Sequence, residues 1–298
     1  MDERTALRVL ADALPAAGDD AAVVDDLVVT TDMLHETTDF PAGTTRYTAG
    51  WRAVGASLSD VAAMGVPALA AVAAYAAPRF DEAELADFLR GARDVSALVG
   101  AEYVGGDLDH HEEFTLATTA IGRQGDHAPV RRSGATPGDV VCVTGTLGRT
   151  AAAIHAFEAG DADSGNDLFQ FTPRVRAGER LAAHATAMMD SSDGLARSLH
   201  QLAEASDCGF AVEADRVPLA TELTSLVDPS SAWDRGVHFG EDFELVCTLP
   251  ASAVADATAA LADCDTTLSQ VGRVVDADSG ITVDSEPLSD RGYTHGSE

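Results

Sequence analysis

The hydrophobic period of this chain switches repeatedly between helical and extended spacing, and each switch predicts an element. Residues 3–14 set Leu7, Leu10 and Leu14 on one helical stripe that Pro15 stops. A Gly-Asp-Asp turn at 18–20 leads into short extended runs at 21–24 and 27–31, the second ending on Asp32. Over 44–64, Trp51, Val54, Leu58 and Val61 recur at three- and four-residue steps, and Gly65 and Pro67 close that helix. Residues 66–77 read as a buried strand. Asp81 and Glu84 then cap a helix whose inner face is Leu85, Phe88, Leu89, Ala92, Val95 and Val99. Strands at 102–107 and 114–123 flank an acidic loop at 108–113.

The second half begins with a strand at 140–144 and a Gly145-Thr-Leu-Gly148 turn into a helix through residue 157, a glycine turn of the kind that suits phosphate. A polar loop is expected at 160–171 and a helix from Pro173 through 187. The apolar pair Met188-Met189 then ends in Asp190, Ser192 and Asp193 before a helix to 206. Residues 238–242 open a strand at 243–249, followed by a helix at 251–261 and strands at 268–275 and 281–283. Helices and strands mix without regular alternation. The expectation is α+β in two modules joined near residue 135: an α/β N-terminal domain, 1–135, and an α+β C-terminal domain, 136–298.

Charge narrows the partners. The 298 residues carry 19 basic against 49 acidic side chains, a net charge of −30, which argues against a nucleic-acid or anionic-membrane partner. There is no lysine, and this resembles the solvated acidic surface of a halophile. Four cysteines, Cys142, Cys208, Cys247 and Cys264, stand singly and fit a reduced cytoplasmic setting. No signal peptide or membrane span is read from the sequence.

Against that acidic background, position distinguishes a few aspartates. Asp20, Asp32, Asp60, Asp107, Asp190 and Asp193 fall at strand ends, in glycine turns, or on a helix packing against them. Asp60 follows Ser57 by one helical turn and projects from a different side than the core stripe. The glycines before Asp107 let a backbone approach a ligand closely. With the hydroxyls of Thr30 and Thr31, Asp20 and Asp32 make half of a site for a hard cation such as Mg²⁺. If these carboxylates converge, each pair about 5 Å apart repels by roughly 3 kcal/mol at an effective dielectric near 20, so the cluster needs divalent metal. Without lysine there is neither a Walker loop nor a protein-kinase strand lysine; metal and arginine, with Arg132 as a phosphate contact, would neutralise a nucleotide. His110 and His111 read as solvated loop residues.

The segments GDDAAVV, TTDMLHETTDF, SLSDVAAMG, GGDL, RRSGATPGD, VTGTLG, MMDSSDGL and GEDFELV, in this order over nearly the whole chain, resemble the thiamine-monophosphate kinase family. Its superfamily includes aminoimidazole ribonucleotide synthetase, selenophosphate synthetase and a hydrogenase-maturation protein. The resemblance implies the two-domain architecture of that synthetase, a dimer-spanning barrel, and ATP held on several Mg²⁺ ions. It implies phosphorylation of thiamine monophosphate to thiamine diphosphate by a cytoplasmic homodimer. By matching motif, Asp20, Thr30, Thr31, Asp32, Asp60, Asp107, Asp190 and Asp193 would be metal ligands, with Asp32, Asp107 and Asp193 central to catalysis. Gly106, Asp107, Arg132 and Ser192 would contact the nucleotide, and Glu241 and Tyr293 the thiamine phosphate. Asp39 stands where the family commonly has a substrate histidine, and an aspartate repeats that donor role only when protonated. Ser57 replaces a usual asparagine. A sister enzyme with another acceptor, a metal-dependent phosphohydrolase and a non-catalytic acidic binding protein remain the alternatives; no cysteine precedes Cys142, unlike selenophosphate synthetase, and the chain lacks the C-terminal cysteine of the maturation enzyme.

Overall fold

The computed structural model describes residues 9–10, 13–14 and 16–292. Most of the helix expected at 3–14, and Tyr293, lie outside the described residues; residues 9, 10 and 13 are helical. Two sheets organise the rest. The first contains β1 (Ala22–Val24), β2 (Leu27–His35), β3 (Ala68–Ala77), β4 (Glu102–His110) and β5 (Thr115–Arg123), in the order β1-β2-β5-β3-β4. The second contains β6 (Asp139–Thr144), β7 (Ala187–Asp190), β8 (Cys208–Val212), β9 (Leu245–Pro250), β10 (Leu268–Asp276), β11 (Ile281–Val283) and β12 (Glu286–Pro287), in the order β12-β11-β8-β10-β6-β9-β7. Both are mixed sheets, parallel at β3–β4 and β8–β11 and antiparallel elsewhere, and the two-domain mixture of helices and strands agrees with the expected α+β class.

The helix Arg46–Ala63, capped by the Thr45 hydroxyl on the Thr48 amide, lies on the first sheet with its small residues inward. Gly50 and Gly91 are needed there: a Cβ at Gly91 would sit 2.0 Å from the Tyr47 carbonyl, so glycine lets this helix and Glu82–Leu98 touch backbone to backbone. Asp81 caps the second of these helices through the Ala83 and Glu84 amides. One continuous apolar core joins Val54, Leu58 and Val61 of the long helix to Leu181, Met188 and Leu245 under the second sheet. The long helix is therefore covered on both sides, which fixes what its polar residues face.

Several sequence expectations need correction. The polar loop at 160–171 contains the helix Ala162–Phe169: Asp161 caps it on the Ser164 amide, and Phe169 is buried edge-on against Phe157. Its polar composition hid it, because only Gly165, Asn166 and Phe169 of its eight residues are buried. The helix expected through 187 is only Val175–Leu181, since Ala187–Asp190 is drawn into β7 beside β9. The acidic loop at 108–113 is strand as far as His110, paired with Ala77. The helix Pro229–His238 and strand β8 were not expected. Among the described residues no helix is long and apolar enough to cross a membrane, and all four cysteines are free.

Candidate active site

The turn before β1, the long helix and the end of β7 meet at one point, where carboxylate oxygens of Asp20, Asp60 and Asp190 lie within 4.8 Å of one another. Hydroxyls aim them. Thr30 Oγ1 donates to Asp60 Oδ2 at 2.5 Å, Ser59 Oγ to Asp190 Oδ2 at 2.6 Å, and Ser57 Oγ to Asp32 Oδ2 at 2.6 Å. Arg132 grips Asp20 with both prongs of its guanidinium, Nη2 to Oδ1 at 2.9 Å and Nε to Oδ2 at 3.2 Å. Arg131 pairs with Asp19 beside it at 2.6 Å.

Crowded acids out of water protonate more readily. Burial first, then the charges of Asp32, Asp190 and Asp20, push the Asp60 carboxyl well above its usual range. Burial and the Asp20 charge push Asp190 up to about 8, and burial raises Asp32 against the opposing bond from Ser57. For Arg132 burial works against the cation, but the Asp20 carboxylate more than offsets it and holds the guanidinium above its usual value.

Next to this cluster a cleft of about 100 Å³ is lined by Asp32, Asp39, Ala56, Ser192, Asp193, Glu241 and Phe243 among others. Its far wall is the 240–244 loop, where the expected strand start at 243 fails. Glu241 and Phe243 are left-handed, with φ of 59° and 53°, and β9 begins at Leu245. That irregular backbone is held by Glu241 N donating to the Ser192 carbonyl at 2.6 Å and Phe243 N to that of Ser191 at 3.2 Å. Asp39 is buried and accepts from the His35 amide at 2.6 Å and the Thr38 hydroxyl at 2.8 Å.

Strand register separates two of the expected ligands from this group. Asp32, Thr118, Ala73 and Gly106 form one row across β2, β5, β3 and β4, and at its β2 end this row faces the long helix, because Ser57 bonds both Asp32 and Thr118. The next row is Met33, Ala117, Ala74 and Asp107, on the opposite face. Asp107 is thus exposed, three strand spacings or about 14 Å from β2. Thr31 likewise points away from Thr30, bonding the Thr118 carbonyl at 2.8 Å. Within one chain, Thr31 and Asp107 do not join the Asp20–Asp60–Asp190 group.

The family described as AIR synthase related protein, N-terminal domain, matches residues 18–124, and its C-terminal domain counterpart matches residues 136–284. A thiamine-monophosphate kinase of Halobacterium salinarum is 62% identical over 99% of this chain and 100% of its own. The chain belongs to the thiamine-monophosphate kinase family. The crystal structure of a thiamine-monophosphate kinase from Stenotrophomonas maltophilia superposes with a TM-score of 0.82 at 30% identity, covering 95% of this chain and 96% of that one. A structure described as AaThiL complexed with AMPPCP and TMP shares the fold, with a TM-score of 0.88 at 24% identity and coverage of 99% and 97%.

In this thiamine-monophosphate kinase family member the Gly145–Gly148 turn is not open to phosphate. The Asp242 carboxylate already occupies the N-terminus of the helix Arg149–Glu158, accepting from the Gly148 and Thr150 amides at 2.5 and 3.0 Å. Sequence reasoning also missed Arg52, Ser59, Asp242 and Phe243. Arg52 did leave a signal: it is the lone charge between Arg46 and Asp60 in a helix of small and apolar residues. Ser59 left none, because its role depends on Asp190, which arrives from the other sheet.

Proposed function

We propose that this chain transfers the γ-phosphoryl group of ATP in line onto the phosphate of thiamine monophosphate, giving ADP and thiamine diphosphate, with several Mg²⁺ ions held by its carboxylates. The observation that carries this is the approach of Asp20, Asp60 and Asp190 to within 4.8 Å in a chain of this family. The donors gathered there are carboxylate and hydroxyl oxygens, the set a small hard dication takes. The raised carboxyls of Asp60 and Asp190 report crowded charge that a cation would offset. Mg²⁺ held by Asp20, Asp60 and Asp190 would supply positive charge against the charge that develops on the phosphoryl oxygens in transfer.

The chain's own residues then align the reactants. Asp20, Thr30, Asp32, Asp60, Asp190 and Asp193 hold the metal side, and Arg132 and Ser192 face the nucleotide. Asp39 and Glu241 line the acceptor side of the cleft, and Tyr293, outside the described residues, keeps the acceptor role its motif implies. The acceptor oxygen is ionised at neutral pH, so no general base is required and the rate rests on alignment and charge neutralisation.

Gly106 and Asp107 line a separate cavity of about 420 Å³ whose walls are Leu85, Phe88, Leu89 and Tyr103, an apolar slot suited to a nucleobase. The sheet face carrying Met33, Ala74, Thr31 and Asp107 is exposed. In the homodimer of this reading Asp107 of the partner subunit is the one that reaches each site, and Thr31 stays on the outer sheet face. The join near residue 135, the reducing cytoplasm and a salt-adapted surface belong to the same reading.

Purified protein with ATP, Mg²⁺ and thiamine monophosphate in molar salt is expected to form thiamine diphosphate. Asp32→Ala and Asp107→Ala should each lower turnover by about two orders of magnitude or more while the circular dichroism spectrum is kept. Near-normal turnover in either variant would sink the metal assignment.

A further inference from the structure

We infer that Arg52 is a positioning residue that fixes the Glu241 carboxylate at the mouth of the cleft, and so sets the affinity for the phosphate acceptor more than the rate of transfer. The inference rests on the acceptor reading of Glu241 given above.

A guanidinium taken wholly out of water persists only if it is fully paired. Arg52 is 1% exposed, and burial pulls its pKa below the usual value against the opposing Glu241 charge. Its partners account for that burial. Nη1 donates to the Phe169 carbonyl at 2.7 Å, and the guanidinium lies 3.6 Å over the Phe169 ring. Nη2 donates to Glu241 twice, to Oε2 at 2.7 Å and to the backbone carbonyl at 3.1 Å. A single residue therefore holds both the side chain and the main chain of Glu241.

Glu241 needs such a hold. Its left-handed backbone is disfavoured for any residue with a Cβ, and Phe243 two positions on shares the problem. The amide bonds to Ser191 and Ser192 anchor the main chain of this loop, but the direction of the carboxylate is set by Arg52. The Glu241 side chain stays 22% exposed, on the cleft it lines with Asp32 and Asp193. Arg52 also shares a helix with Ser57, Ser59 and Asp60, about 12 Å along its axis from Asp60. One rigid rod thus sets the metal carboxylates at one end and the acceptor carboxylate at the other.

Steady-state kinetics on the full chain tests this. Arg52→Met, which removes the cation and keeps the bulk, is expected to raise KM for thiamine monophosphate about tenfold or more, with KM for ATP and kcat moving less than about threefold. Arg52→Lys, keeping the charge, should recover most of the loss. In a Glu241→Gln background Arg52→Met should add less than about threefold, because both act on one contact. A parallel rise in both KM values, or full multiplication of the two single effects, overturns the inference. If Arg52→Met does not fold, Glu241→Gln carries the test: an unchanged acceptor KM in that variant overturns it. A wild-type chain that turns over ATP without phosphorylating thiamine monophosphate removes the acceptor reading itself, and the inference with it.

Discussion

Each buried carboxylate in this chain is held by specific donors, and the donors decide what it does. Ser57, Ser59 and Thr30 turn Asp32, Asp190 and Asp60 toward one space, whereas Asp242 is spent on a helix end. Burial raises the Asp242 carboxyl from 3.8 to about 7, against the opposing bonds from the Thr150 and Gly148 amides. A carboxyl whose folded value is raised adds stability that is whole below its unfolded value and is lost as pH climbs through the folded one. Between about pH 4 and 7 the wild type should therefore lose stability relative to Asp242→Asn, read as a changing gap between their urea midpoints. A constant gap across that range would show that Asp242 is not the titrating group. At this scale the sequence singled out Asp20, Asp60 and Asp190, which the fold brings together, and was silent about their partners. GEDFEL displays Glu241 plainly, yet the guanidinium that grips it lies 189 residues earlier.

Alternation along a strand turns residue identity into geometry. Thr30 and Thr31 look equivalent in sequence, but on β2 one faces the helix carrying Asp60 and the other faces away. The same alternation, carried across four strands, puts Gly106 in the row of Asp32 and Asp107 in the next. Gly106 has its own constraint, since a Cβ there would sit 1.7 Å from the Ala73 carbonyl. Gly106→Ala should force β4 off β3 and cost about 2 kcal/mol or more, seen as a lower Tm before any effect on nucleotide binding. An unchanged Tm would mean that the strand shifts freely. Helix and strand periods were legible for the long helix and for β3, where packing agrees with pattern. They failed at 160–171 and at 243, where tertiary contacts overrode local preference.

On the scale of the whole molecule, Asp107 and the carboxylate cluster lie on opposite faces of one sheet, and the proposed homodimer would join them across two chains. Co-expressed Asp60→Ala and Asp107→Ala chains should recover about a quarter of wild-type turnover, because half of the random dimers are mixed and each mixed dimer keeps one intact site of two. Activity no higher than that of either variant alone would place Asp107 in the site of its own chain, or nowhere in it. The same assay is expected to rise with salt, since counterions screen the repulsion of a chain with net charge −30.

The sequence by itself determined the family and most of the helices and strands that carry the acids, though not that β2 and β4 run past Asp32 and Asp107, because motif order and hydrophobic period are properties of the chain as written. Only the tertiary structure decided that Asp20, Asp60 and Asp190 meet, that Thr31 and Asp107 stand apart from them, and that Arg52 holds Glu241. Those outcomes depend on strand order, register and the burial of charge between distant segments. None of these is fixed by any local stretch of residues.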